Sequence, residues 1–168
     1  EGATLPDGPE SVQIAAGGNA KVSITIAPKA SDAIKKTAAE LAKYLKRITG
    51  ADFTIEESDQ ARGITLGTLE QFPDDSLKES MAIRNRYDGL EAFSIRTDKA
   101  GIRLLGNREL GASHGAHRFL ELLGCRWFFE GETWTVVRQE AELSFNHSET
   151  GQPGLRSRDL WCGRAGEK

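Results

Sequence analysis

The sequence predicts an α/β (α+β) two-layer sandwich: a mixed sheet of about six to eight strands with two main helices packed on one face. Three observations predict it. Short alternating apolar runs recur from Val12 to Ile26, Phe53 to Leu66 and Phe93 to Leu105. Helical periodicity breaks in at two separated places, each with a single apolar stripe. A strong hairpin turn, Asp98-Lys99-Ala100-Gly101, makes part of the sheet antiparallel. Helices at two points able to cover the same sheet face suggest two layers rather than a doubly wound sheet.

Taken in order, "SVQIAA" places Val12 and Ile14 on one side, and "KVSITIAP" alternates Val22, Ile24 and Ile26 against Lys21, Ser23 and Thr25. The intervening "GGN" is a turn signal, so the two runs are expected to pair as a hairpin. A helix from Asp32 to Thr49 follows, with Ser31 as N-cap and Gly50 at its C-terminal boundary. Ile34, Ala38, Leu41, Ala42, Leu45 and Ile48 form its stripe, and Lys35, Lys36, Lys43, Lys46 and Arg47 lie mostly off it. "FTIEES" and "GITLGT" are expected strands, with Phe53, Ile55, Ile64 and Leu66 inward. Residues 70–90 are the least patterned, permitting one short helix begun by Asp74-Asp75. "AFSIRT" and "GIRLLGN" form the hairpin, and a second helix runs from Leu110 to Leu123 before Gly124. "RWFFEG" and "TWTVVRQ" are extended, and "AELSF" is a further edge strand.

A formal net charge of −3 and 28% charged residues describe a soluble globular domain and point to neither nucleic acid nor an anionic membrane. No apolar run approaches the roughly 20 residues that span a bilayer. The first ten residues lack a basic start and an apolar core, so no signal peptide is expected in this chain. Cys125 and Cys162 fit no zinc spacing, which leaves a buried free thiol or a disulfide between them. From His147 the composition turns to glycine and polar residues, so 1–146 reads as the domain and 147–168 as a linker or the start of another.

His114, His117 and Glu121 neighbour one another at helical spacing and could by spacing share a metal. They fall on the side of the helix opposite Ala112, Ala116, Phe119, Leu120 and Leu123. The order His-Glu-x-x-His is absent, and a hydrated or partner-facing surface is the reading. Gly111 and Gly115, one turn apart, suit close approach of another element rather than phosphate. No two carboxylates suggest themselves as a pair about 5–10 Å apart for glycoside chemistry, and no nucleophile elbow is present. No catalytic residue, metal or cofactor is expected. Trp127, Trp134 and Trp161, with Arg126, Arg138 and Arg158 nearby, remain as groups that could stack on sugar. Of these, Arg126, Trp127, Arg158 and Trp161 are the candidate contacts with glycan or a neighbouring domain.

"ELAKYLKRITGADFTI", "GITLGT", "YDGLEAFSIRTDKAGIRLLGN" and "GASHGAHRFLELLGCRWFFEGE" occur here in that order. Together they resemble the N-terminal domain of α-glucuronidase-type glycoside hydrolases, family 67. They also resemble related bacterial proteins of unknown function and, more distantly, the domain before the barrel of family 20 β-N-acetylhexosaminidases. The resemblance covers about residues 10–145. Its most specific part is the Gly-x-x-x-Gly helix start, Phe-Leu-Glu, and the Leu-Gly-Cys-Arg-Trp-Phe run. It implies a two-layer fold, a periplasmic or extracellular bacterial setting, and catalysis belonging to a following (β/α)8 barrel. "GQPGLRSRDLW" looks like the lead-in, with Arg156 or Arg158 opening the first barrel strand. The chain is then an excised domain carrying none of the family's active-site residues. One departure is Val136-Val137-Arg138, where the family has a proline.

The function so implied is a non-catalytic accessory domain of a carbohydrate-active protein, packed against a downstream domain of the same polypeptide. The alternatives are a module that contacts glycan through loop aromatics and arginines, and a self-contained enzyme using His114, His117 and Glu121.

Overall fold

The structure, a computed structural model, describes residues 11–82, 90–129 and 131–152. In chain order the elements are β1 (Val12–Ala16), β2 (Asn19–Ala20), β3 (Ile24–Ile26), α1 (Asp32–Thr49), β4 (Ile55–Glu57), β5 (Gly63–Thr68), β6 (Phe93–Asp98) and β7 (Gly101–Gly106). Then come α2 (Glu109–Leu122), β8 (Arg126–Trp127), β9 (Thr135–Val136), β10 (Leu143–Phe145) and β11 (Glu149–Gly151). Single 3-10 turns lie at Asp75–Leu77 and Glu132–Trp134.

The main sheet has six strands in the order β11-β6-β7-β5-β3-β4. β4, β3, β5 and β7 are parallel, while β6 is antiparallel to both β7 and β11. It is the expected mixed sheet, with α1 crossing from β3 to its parallel neighbour β4. Both helices lie on the sheet and on each other. Ile24, Ile64, Leu66, Ile95, Ile102 and Leu104 meet Ile34, Leu41, Leu45, Ala112, Ala116 and Phe119 in one core.

α1 begins and ends where its sequence dictates. Ser31 Oγ accepts from the Ile34 N–H at 3.4 Å, and the Gly50 N–H donates to the Lys46 carbonyl at 2.8 Å. Its expected stripe is buried apart from Ala42, which is half-buried. In α2 the five residues assigned to the inner face are all buried. Gly111 is small for the reason its spacing implied: a Cβ there would run into the backbone of Ala92, just before β6.

Two strand expectations are corrected. The hairpin does not extend to residues 22–26; β1 turns back across Gly17-Gly18, at φ 58° and 73°, onto the two-residue β2, and the last rung is the Lys21 N–H to the Ile14 carbonyl. Positive φ at both central residues is the turn that matches strand twist, and glycine adopts it without strain. β3 instead enters the main sheet, because Ile24, Thr25 and Ile26 are all buried and need neighbours on both sides. Ile55 does not point inward; it is 41% exposed on the edge strand β4. Phe53, just before that strand, supplies the buried contact.

"AELSF" pairs with β1 and forms the edge of a small sheet ordered β10-β1-β2. Ile14, Leu143 and Phe145 bring that sheet into the main core, with Phe145 edge-on to Phe119 at 4.8 Å. The main sheet extends past residue 146 by taking Glu149–Gly151 as its edge strand β11. The opposite face of the sheet is also partly covered. Phe72, Leu77 and Met81 pack on Leu105, which points away from Leu104, its neighbour in β7.

Candidate functional site

The exposed side of α1 runs into the ribbon made by β8 and β9, and a groove of about 450 Å³ opens between them. Glu40 and Tyr44 are one turn apart on α1, so both project to the same side. His117 reaches the groove from α2. Its Nδ1 lies 2.9 Å from the Ser113 carbonyl oxygen, which can only accept, so Nδ1 carries the hydrogen. Nε2 is thereby turned to Glu40, 3.7 Å away.

Trp127 is the half-buried link between helices and ribbon. Its Nε1–H donates to Tyr44 Oη at 2.8 Å, and the two rings stand edge to face with centroids 5.2 Å apart. The His117 ring is 5.6 Å from the indole on another side. Beyond Trp127 the strand stops: the Phe128 N–H donates to the Trp134 carbonyl, and the Trp134 N–H to the Gly131 carbonyl. Three aromatics in a row cannot all turn inward on alternating backbone. Phe128 is 63% exposed, Phe129 71% and Trp134 52%. Phe129 and Trp134 touch edge to face at 5.4 Å.

Glu132 closes one end of the groove. Lys43 Nζ and Arg47 Nη1 hold its carboxylate at 3.3 and 2.9 Å. The hydrogen bond from Lys43, reinforced by the charge of Arg47, draws its pKa below the usual range. Glu149 is lowered in the same way, chiefly by its hydrogen bond from Arg118, which spans from α2 to β11. Asp74 is pushed up by burial, but hydrogen bonds from Ser76 and the charges of Arg103 and Arg96 outweigh that and leave it lowered. His114 is lowered by burial and by His117; its Nδ1 is 3.6 Å from Glu91.

Of the expected contact residues, Trp127 is in the groove. Arg126 is exposed, but its Nη1 donates to the carbonyls of Glu121 and Cys125 at 2.6 Å each and finishes the end of α2. Arg158 and Trp161 lie outside the described residues, as does Cys162. Cys125 is a buried free thiol whose pKa is raised by that burial, against the opposing charges of Arg47 and Arg126. His114 and His117 engage different carboxylates rather than converging with Glu121. Among the described residues no three metal-ligating groups gather to hold an ion. Glu40, Tyr44, Phe129 and Glu132 are groove residues that sequence reading missed. The signal was the unbroken "WFF", too apolar for an exposed turn unless that turn has something to meet.

The groove and fold together describe an α/β domain with an aromatic surface site. No family model matches the chain, and no curated protein matches it. Among solved structures it is similar in fold to a region of a family GH115 4-O-methyl-α-glucuronidase with specificity for decorated arabinogalactans. That match has a TM-score of 0.50 and 18% identity, covering 80% of this chain and 18% of that one. A GH20 β-N-acetylhexosaminidase from Streptomyces coelicolor A3(2) matches at TM-score 0.47 and 18% identity, over 82% of this chain and 24% of that one. An N-acetyl-β-hexosaminidase from Streptomyces plicatus matches at TM-score 0.45 and 18% identity, over 70% and 19%. The chain therefore spans between 18 and 24% of the length of these enzymes.

Proposed function

We propose that this chain is a non-catalytic accessory domain of a carbohydrate-active, glycoside hydrolase-like protein. In this reading it packs against a downstream domain of the same polypeptide and takes no part in bond cleavage. The family 67-type arrangement is its finer form, with a (β/α)8 barrel following the linker that begins at residue 147 and the protein working in the periplasm or outside a bacterium.

One observation carries the reading. Asp74, Glu132 and Glu149 are each held in ion pairs with arginine or lysine, and those cations together with hydrogen-bond donors lower the pKa of each. Glycoside hydrolysis needs a carboxylic acid still protonated near neutrality, opposite a second carboxylate. Carboxylates clamped in ion pairs stabilise a fold and are poor proton donors. Fold likeness to less than a fifth of an α-glucuronidase's chain supports the same reading, since most of such an enzyme lies elsewhere.

The test is to assay this chain and the full-length product of its gene on aryl glycosides and plant oligosaccharides. The chain alone is expected to be inert. Turnover by the chain alone, lost in Glu40→Gln or His117→Ala, would overturn the proposal.

A second reading, direct glycan contact, is favoured by the exposed rings of Phe129 and Trp134. Its arginine part is not supported at Arg126, whose guanidinium is engaged by backbone carbonyls.

A further inference from the structure

The geometry points to the groove between α1 and the β8–β9 ribbon as a binding site for a neutral oligosaccharide, with uronic-acid sugars disfavoured. This rests on the reading that the domain serves a carbohydrate-active protein, and it specifies what that second reading leaves open.

Shape and ring chemistry come first. The groove is concave, and its volume falls within the roughly 300–1,000 Å³ of small-ligand sites. Phe128 and Phe129 line the groove and are 63% and 71% exposed, with Trp134 edge-on to Phe129 beside it, which wastes apolar area unless something covers it. A pyranose ring has an apolar C–H face that suits such a platform and hydroxyls that suit carboxylates beside it. The floor is fixed in advance: Trp127 is held by Tyr44, and Tyr44 is in turn flanked by Arg47, 5.3 Å from its ring centre. A preformed floor reduces the ordering cost of binding.

Charge then selects among sugars. Among the described residues, the carboxylates lining the groove are Glu40 and Glu132, and His117 and Tyr44 are its other titratable groups. Lys43 and Arg47 neutralise Glu132 from behind and do not line the groove. A sugar carboxylate would meet the charge of Glu40 and, among the described lining residues, no lysine or arginine, whereas hydroxyls would donate to both Glu40 and Glu132. The same carboxylates argue against a protein partner: interface cores are depleted in Glu, and a stable interface needs about 800 Å² from each side.

Titration of the chain with neutral xylo-, galacto- and N-acetylglucosamine oligomers, followed by tryptophan fluorescence and calorimetry, tests this. Saturable binding at about 1 mM or tighter is expected for at least one neutral series. A chain-length-matched oligomer bearing glucuronate should bind at least about tenfold more weakly. Phe129→Ala should weaken binding by about tenfold or more, with the near-ultraviolet dichroism of the core retained. Glu132→Gln should narrow the gap between neutral and acidic sugars.

Equal or tighter binding of the acidic oligomer would overturn the charge assignment. No saturable binding by any series would remove the site while leaving the accessory-domain proposal standing. Self-association that disappears in Phe129→Ser would make the patch an interface between copies and also overturn the site. Turnover of a bound sugar by the chain alone would instead sink the accessory-domain reading, so the two failures are distinguishable.

Discussion

The indole N–H of Trp127 donates to the phenolic oxygen of Tyr44 at 2.8 Å, joining residues 83 positions apart. It ties the β8–β9 ribbon to α1 and sets the floor of the groove. Tyr44→Phe leaves a half-buried indole N–H without its acceptor. The expected cost is about 1 kcal/mol, read as a lower urea midpoint with unchanged slope. A red-shifted tryptophan emission should accompany it.

Gly111 is where α2 comes down on the backbone ahead of β6. Gly111→Ala puts a methyl into the carbonyl of Ala92. The shift needed should cost about 1–3 kcal/mol despite alanine's better helix propensity. Chemical denaturation should show it, and equal or higher stability would contradict the observed approach of helix to sheet.

Glu149 and Asp74 are lowered in the folded state, so they contribute stability above their unfolded values, ordinarily 4.5 and 3.8. That contribution is lost as pH falls through the lower folded values. His114 behaves alike with respect to sign: it is harder to protonate when folded, so stability begins to fall just below its ordinary 6.5. Urea midpoints should therefore decline from about pH 6 downward and steeply below about pH 4. Glu149→Gln should lower stability at neutrality and flatten the acid decline.

Ile55 and Ile64 look equivalent in sequence, yet one is 41% exposed and the other fully buried. Ile55→Thr should change stability by no more than about 0.5 kcal/mol. Ile64→Ala should cost about 2–5 kcal/mol. Comparable losses at both sites would contradict the placement of β4 at the sheet edge.

Much of the fold was legible because local chemistry agreed with the global arrangement. Ser31, Gly50 and a six-member stripe specify α1 to the residue. Asp98-Lys99-Ala100-Gly101 specifies the β6–β7 hairpin, whose register runs unbroken from Phe93–Gly106 to Asp98–Gly101. Pairing between distant strands was not legible. β3 leaves β1, which ends eight positions before it, for β4 and β5, and nothing local distinguishes a partner eight positions away from one forty away. The segment around Phe72, Leu77 and Met81 looked unpatterned because it has no periodic face; it covers Leu105 as an irregular loop.

The same division holds at the site. Trp127 and Trp134 stood out in the sequence as groups that could stack on sugar, and the faces of α2 were readable from its wheel. Glu40 and Tyr44, by contrast, belong to an ordinary helix until α1 is laid beside a ribbon that begins more than eighty residues later. By itself the sequence determined the helices, the hairpin, the sheet-facing residues and the small residues of α2, because those follow from periodicity, caps and turn chemistry within a few residues. Only the tertiary structure decided strand order, the exposure of Ile55 and the groove itself, because each depends on which surface a distant segment covers.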